Sequence, residues 1–203
     1  MPEHWTTLTT RFTDEKQCLA TFLAWQAAEV LSAAKPANLI NIFDKPLPCG
    51  RNMYQLWQKH GKAILQTSSL RALDLQFHRG RLLVLVYHSQ LVIEALQNPD
   101  ARSALEMLGY PTDCLEASLR FLKERLGKMS FPHEVGFFLG YPAKDVLGFM
   151  GMNGLPLVKS GPWRMYGEVA ESLTVLDVYR AARTALRKSL FIEKDPLSLV
   201  EGR

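Results

Sequence analysis

Hydrophobic positions along this chain switch between helical and strand spacing. Leu19, Phe22, Leu23, Val30 and Leu31 recur at intervals that predict one helix. Thr13 can cap it, Asp14 and Glu15 suit its positive end, and Lys35-Pro36 stops it. Asn38 to Phe43 reads as a short strand. Pro46 and Pro48 mark a turn, and Cys49-Gly50 leads into a helix near Arg51 to His60. Leu73, Leu75 and Phe77 alternate with polar residues, as a half-buried strand does. His78-Arg79-Gly80-Arg81 supplies a hairpin turn. Leu82 to Tyr87 is apolar without alternation, the pattern of a strand covered on both faces.

After Ser89 the spacing is helical as far as Leu126, with breaks at Asn98-Pro99 and Gly109-Tyr110-Pro111. A Gly/Pro-rich connection from Gly151 to Pro162 precedes a short strand at Trp163 to Tyr166. The last long helix runs from Glu168 to Phe191, and Glu193 to Arg203 reads as a polar, frayed tail. The expected fold class is α+β: a small, mostly antiparallel sheet, with a hairpin near 72–87, packed with several helices. No linker or low-complexity tract divides residues 1–203, which predicts a single domain.

Composition acts mainly by exclusion. The chain has 203 residues, 47% hydrophobic and 22% charged, enough to bury a core without disulfides or metal staples. Cys18, Cys49 and Cys114 are too few and scattered for a disulfide framework, and an odd count argues for a reducing, cytoplasmic compartment. MPEHWTTLTT lacks the basic and apolar regions of a secretory signal, and the longest strongly apolar run, Leu82 to Tyr87, is too short for a membrane helix. The formal charge of +4 permits an anionic partner without demanding one. The usual signatures of P-loop hydrolases, Rossmann dehydrogenases and serine hydrolases are missing, as are metal-spaced cysteines.

Candidate chemistry concentrates in Phe131 to Met150. Gly136, Gly140 and Val146 have the spacing of a helix-turn-helix over residues 134–150, so a DNA-binding regulator is the alternative function. Its second helix would offer Ala143, Lys144, Asp145, Leu147 and Gly148, with no Arg, Gln or Asn to read base edges. The corner Leu139-Gly140-Tyr141-Pro142 repeats Leu108-Gly109-Tyr110-Pro111: glycine ends one helix and proline starts the next. His133 and Glu134 form a titratable pair at a helix start, without the second histidine of a zinc helix.

Three further clusters stand apart. Cys49 beside Gly50-Arg51-Asn52 is a candidate thiol nucleophile, though Gln55 stands where a phosphatase loop needs arginine. Arg180, Arg183, Arg187 and Lys188 form a basic stripe opposite Leu173, Leu176, Tyr179, Leu186 and Leu190, suited to an acidic partner or to water. Trp163 and Tyr166, within Trp163 to Glu168, either stack on a flat ligand or cover the core.

These residues also carry a resemblance. Pro132 to Pro142, followed by Asp145-Val146 and Gly148-Phe149, resembles the signature of a bacterial family of unknown function found mostly in anaerobes. Lys35 to Leu39, Val86-Tyr87, Leu108 to Tyr110 and Trp163 to Glu168 are similar to its other landmarks, so the resemblance spans about residues 27–190. It implies an association with flavodoxin and iron-handling genes, hence an accessory binding protein in redox or iron and cofactor metabolism, with flavodoxin or another acidic protein as partner. Many members carry cysteines where Ala27 and Lys159 to Pro162 stand here, so no metal is assigned. The family carries no assigned activity; the candidate ligand set read from the residues themselves is Lys35, His133, Glu134, Tyr141, Trp163 and Tyr166, expected to converge on one pocket, and the cofactor is open, as is whether the protein is an enzyme.

Overall fold

The structure, a computed structural model, describes residues 8, 10–128 and 131–201. Its fold is α+β. Asp14, rather than Thr13, caps α1 (Glu15–Gln26), accepting from the Gln17 N–H at 2.9 Å. The predicted single helix breaks at Ala27, whose φ of −117° is not helical, and resumes as α2 (Ala28–Leu31). β1 (Ala37–Phe43) follows. Asn52 caps α3 (Met53–Gln66), which extends a turn and a half beyond its predicted end. The hairpin is β2 (Arg71–His78) and β3 (Arg81–Tyr87), with Arg79 and Gly80 both at positive φ in its turn.

β3 is central in the order β1–β3–β2, and both pairings are antiparallel, with Ile40 opposite Val84 and Leu73 opposite Leu85. Alternation along β3 explains its unbroken apolar run. Leu82, Val84 and Val86 enter a core with Ile40, Ile42, Leu19, Leu23, Trp57 and Ile64. Leu85 enters a second core against α4 (Ser89–Leu96), α5 (Pro99–Met107), α6 (Leu115–Lys128) and α7 (Val135–Phe138). Asn98 caps α5 with Pro99 in the first turn, as the Asn-Pro break predicts.

α8 (Ala143–Phe149) leads to a second small sheet, β4 (Leu157–Ser160) paired with β5 (Arg164–Tyr166). β4 lies inside the segment expected to be a connection; all four of its residues are exposed, so no alternation betrays it. α9 (Ala170–Ile192) crosses the molecule, and Tyr179 joins Trp163, Met165 and Leu176 in a third cluster. The tail is a correction. Asp195 accepts from the Leu197 N–H, α10 (Leu197–Glu201) forms, and Val200 is fully buried in the first core. None of the described helices is long and apolar enough to cross a membrane.

Candidate functional site

The two Gly-Tyr-Pro corners each place a tyrosine beside a charge, Tyr110 buried and Tyr141 half-buried. Gly109 and Gly140 adopt φ of +84° and +70°, the left-handed ends that let each helix stop. Tyr110 then donates to Glu134 Oε1 at 2.9 Å, and Arg125 Nε donates to the same oxygen at 2.5 Å. Burial and the adjacent carboxylate push the Tyr110 hydroxyl far up. Glu134 is 2% exposed and turned into this triad, so it does not join the pocket predicted for it.

Tyr141 faces Lys35. The Lys35 ammonium lies 5.2 Å from the Tyr141 ring and 5.4 Å from that of Tyr179, and donates to Asn38 Oδ1 at 2.7 Å. Asn38 in turn donates to Glu29 Oε2 at 3.3 Å. Burial lowers the Lys35 pKa to about 8, against the opposing pull of Glu29. On its own side Tyr141 stacks on Trp163, with centroids 4.6 Å apart and planes 19° apart. Lys35, Tyr141 and Trp163 therefore form one column, in which Lys35 lies within the protein behind the rings.

Asp145 anchors this column. It is 1% exposed and accepts four hydrogen bonds: from Lys144 Nζ and the Tyr166 N–H at Oδ1, and from Trp163 Nε1 and Ser172 Oγ at Oδ2, at 2.6 to 3.0 Å. Burial alone would raise its pKa, but these donors outweigh it and hold the carboxyl below its usual value. The Tyr166 ring packs on Gly148, where a Cβ would come within 2.4 Å of it, so Tyr166 serves helix packing. Sequence reasoning missed Asp145 as a hub. An acidic residue in the first turn of a helix is stable on the surface too, so its type gave no signal of burial.

A cleft of about 620 Å³ opens beside the column. Leu39, Val135, Leu139 and Val146 line its apolar wall, Tyr141, Asp145 and Trp163 close one side, and Phe131, His133, Phe149 and Arg164 form its mouth. The Phe149 ring organises that mouth. His133 meets it edge-on at 4.7 Å, and the Arg164 guanidinium lies 5.2 Å from its centroid. Neither the His133 nor the Arg164 side chain has a hydrogen-bond or ion-pair partner among the described residues; both meet the Phe149 ring. Of the six predicted ligand residues, His133, Tyr141 and Trp163 line the cleft; Lys35, Glu134 and Tyr166 stand behind it.

The remaining candidates separate. Val146 and Asp145 of α8 are buried, and Lys144 is tied to Asp145, the Tyr166 carbonyl and Ser172 Oγ, so the helix-turn-helix spacing forms a packed corner without a free cation on its second helix. The close approach needs Gly136, where a Cβ would lie 2.8 Å from Val146. In the basic stripe, Arg183 binds buried Glu29 through Nε and Nη2, and Arg187 donates twice to the Trp25 carbonyl. Arg180 and Lys188 remain exposed. Arg51 donates to Cys18 Sγ and the Thr13 carbonyl, and all three cysteines are free. No metal-holding group of three His, Cys, Asp or Glu occurs among the described residues.

A small antiparallel sheet between helical layers, with a cleft beside a satisfied polar hub, defines a class of α+β protein. Residues 23–200 match the model of a family described as a protein of unknown function, DUF3793, and the chain belongs to that family. No curated protein and no solved structure matches it.

Proposed function

We propose that this chain is a binding protein whose cleft takes a compact, flat, largely apolar molecule bearing one acidic group. The observation that carries the reading is the imbalance of the cleft's polar groups. Asp145, the carboxylate in the lining, is fully engaged by four donors, whereas the His133 and Arg164 side chains at the mouth have no hydrogen-bond or ion-pair partner among the described residues. Apolar walls with a few convergent polar groups suit a small ligand, and the volume lies in the range of about 300–1,000 Å³ common to such sites. Phe131 and Phe149 offer partly exposed rings for a flat molecule.

Binding, rather than chemistry, fits the arrangement. The histidine has no carboxylate to orient it, and the one carboxylate present is held as a hydrogen-bond acceptor inside the wall. The resemblance to a family near flavodoxin and iron-handling genes suggests an accessory role in redox or iron and cofactor metabolism. It makes flavin nucleotides an early choice of ligand. Three free cysteines suit a reducing cytoplasm. A flavodoxin or other acidic partner would meet Arg180 and Lys188 of the stripe, exposed cations that are not tied to Glu29 or to the Trp25 carbonyl as Arg183 and Arg187 are. The DNA-binding alternative draws little support from α8, whose lysine is held inside.

Native mass spectrometry of anaerobically purified protein, against a panel of aromatic acids and flavin nucleotides, tests the reading. One-to-one adducts that diminish in Arg164→Ala and Phe149→Ala are expected; both side chains are exposed, so folding is little affected. Absence of any adduct across the panel would overturn it.

A further inference from the structure

The sheet ends in an open slot on the side opposite β1. β2 is an edge strand, and among the described residues no backbone hydrogen bond reaches it from the side away from β3. An edge presents unpaired N–H and C=O groups, which proteins usually guard with charges on the strand itself. The side chains of β2 before its bulge at Asp74–Gln76 are all turned to other tasks. Arg71 caps the Ser68 and Leu70 carbonyls at 2.9 Å, Ala72 packs on the first core, Leu73 on the second, and Asp74 accepts from Trp57 Nε1 at 3.1 Å. The free charges stand on the walls instead. Lys62 of α3 and Lys123 of α6 are exposed, unpaired among the described residues, and line a cavity of about 730 Å³ with Arg71 to Asp74.

We infer that this slot is a docking site for an extended acidic peptide segment of another protein, which adds a strand to β2. α3 flanks one face of the sheet and α6 the other, so the slot has the shape left by a missing strand. Main-chain hydrogen bonds to Arg71–Asp74 supply affinity, and side chains of the added strand alternate between the two walls. Adjacent acidic residues would therefore meet Lys62 on one side and Lys123 on the other. Asp74 lines the same slot and keeps its charge, with Oδ1 held by Trp57 Nε1, so the acidic residues are placed opposite the lysines and not opposite Asp74.

The test is fluorescence anisotropy with a short, end-capped, labelled peptide carrying adjacent glutamate and aspartate between valine and threonine residues. Binding is expected to weaken about tenfold in Lys62→Glu/Lys123→Glu and to be unchanged in Lys16→Glu, an exposed control on α1. Thermal melts check that the variants fold; both lysines are exposed. Two peptides N-methylated on alternate residues probe the backbone. Loss of binding in one register and retention in the other supports strand addition. Equal binding by both methylated peptides and the parent would reduce the contact to charge alone and overturn the inference. So would failure of the parent to bind, or indifference to the double reversal.

Discussion

The indole Nε1 of Trp163 donates a 2.8 Å hydrogen bond to Oδ2 of Asp145 while its ring stacks on Tyr141. One contact thus fixes the angle at which β5 meets α8, and with it one side of the cleft. The second corner's tyrosine is held by this stack and by the lysine behind it.

Asp145→Asn replaces a carboxylate that accepts four donors with an amide that turns an NH₂ toward some of them. It should lower stability by about 3 kcal/mol at neutral pH, read by urea denaturation. Asp145 has a folded pKa below the ordinary 3.8. Its contribution is therefore complete above that value and fades as the pH falls beneath it toward the folded pKa. The gap between wild type and variant should close in that acid window.

Lys35 gives the opposite signature. Its pKa falls from 10.5 unfolded to about 8 folded, so between these values the unfolded chain binds more protons. Wild-type stability relative to Lys35→Met should rise as the pH climbs from about 8 to 10.5. The total gain is on the order of 3 kcal/mol at most. Guanidinium melts of both proteins at stepped pH provide the check.

Arg183 and Lys188 both lie on α9 but differ in role. Arg183→Ala leaves Glu29, 1% exposed, without its cation. A loss of about 2–3 kcal/mol is expected, reduced from the fully buried case because the arginine is itself 44% exposed. Lys188→Ala should stay within about 0.5 kcal/mol of wild type. Equal, small effects would return the whole stripe to solvent.

Gly140→Ala meets two obstacles, a φ of +70° and a Cβ only 2.5 Å from Pro36. Gly151 has a φ of +73° and open space. Gly151→Ala should cost about 1 kcal/mol for the backbone alone, and Gly140→Ala about twice that or more. Paired thermal melts separate packing from conformation.

Much of the fold is legible because local chemistry and tertiary context agree. The hairpin, the doubly covered β3 and the Asn98-Pro99 break each have a residue pattern with one physical meaning. β4 and α10 do not: β4 is wholly exposed, and α10 buries one valine of a polar tail. The site divides the same way. The motifs marked Tyr141 at a corner and Trp163 on a strand as candidates, but not that their rings stack, which depends on where β5 meets α8. The inward turn of Glu134, Asp145 and Glu29 was hidden, because burial of a carboxylate depends on donors distant in sequence: Arg125, Trp163 and Arg183.

The most direct measurement is calorimetric titration of 2-naphthoate and its neutral isostere 2-naphthamide into wild type and Arg164→Ala. The account predicts that the acid binds wild type about tenfold or more tightly than the amide, and that the preference collapses in the variant. Equal binding of acid and amide, or a preference that survives loss of Arg164, would contradict it.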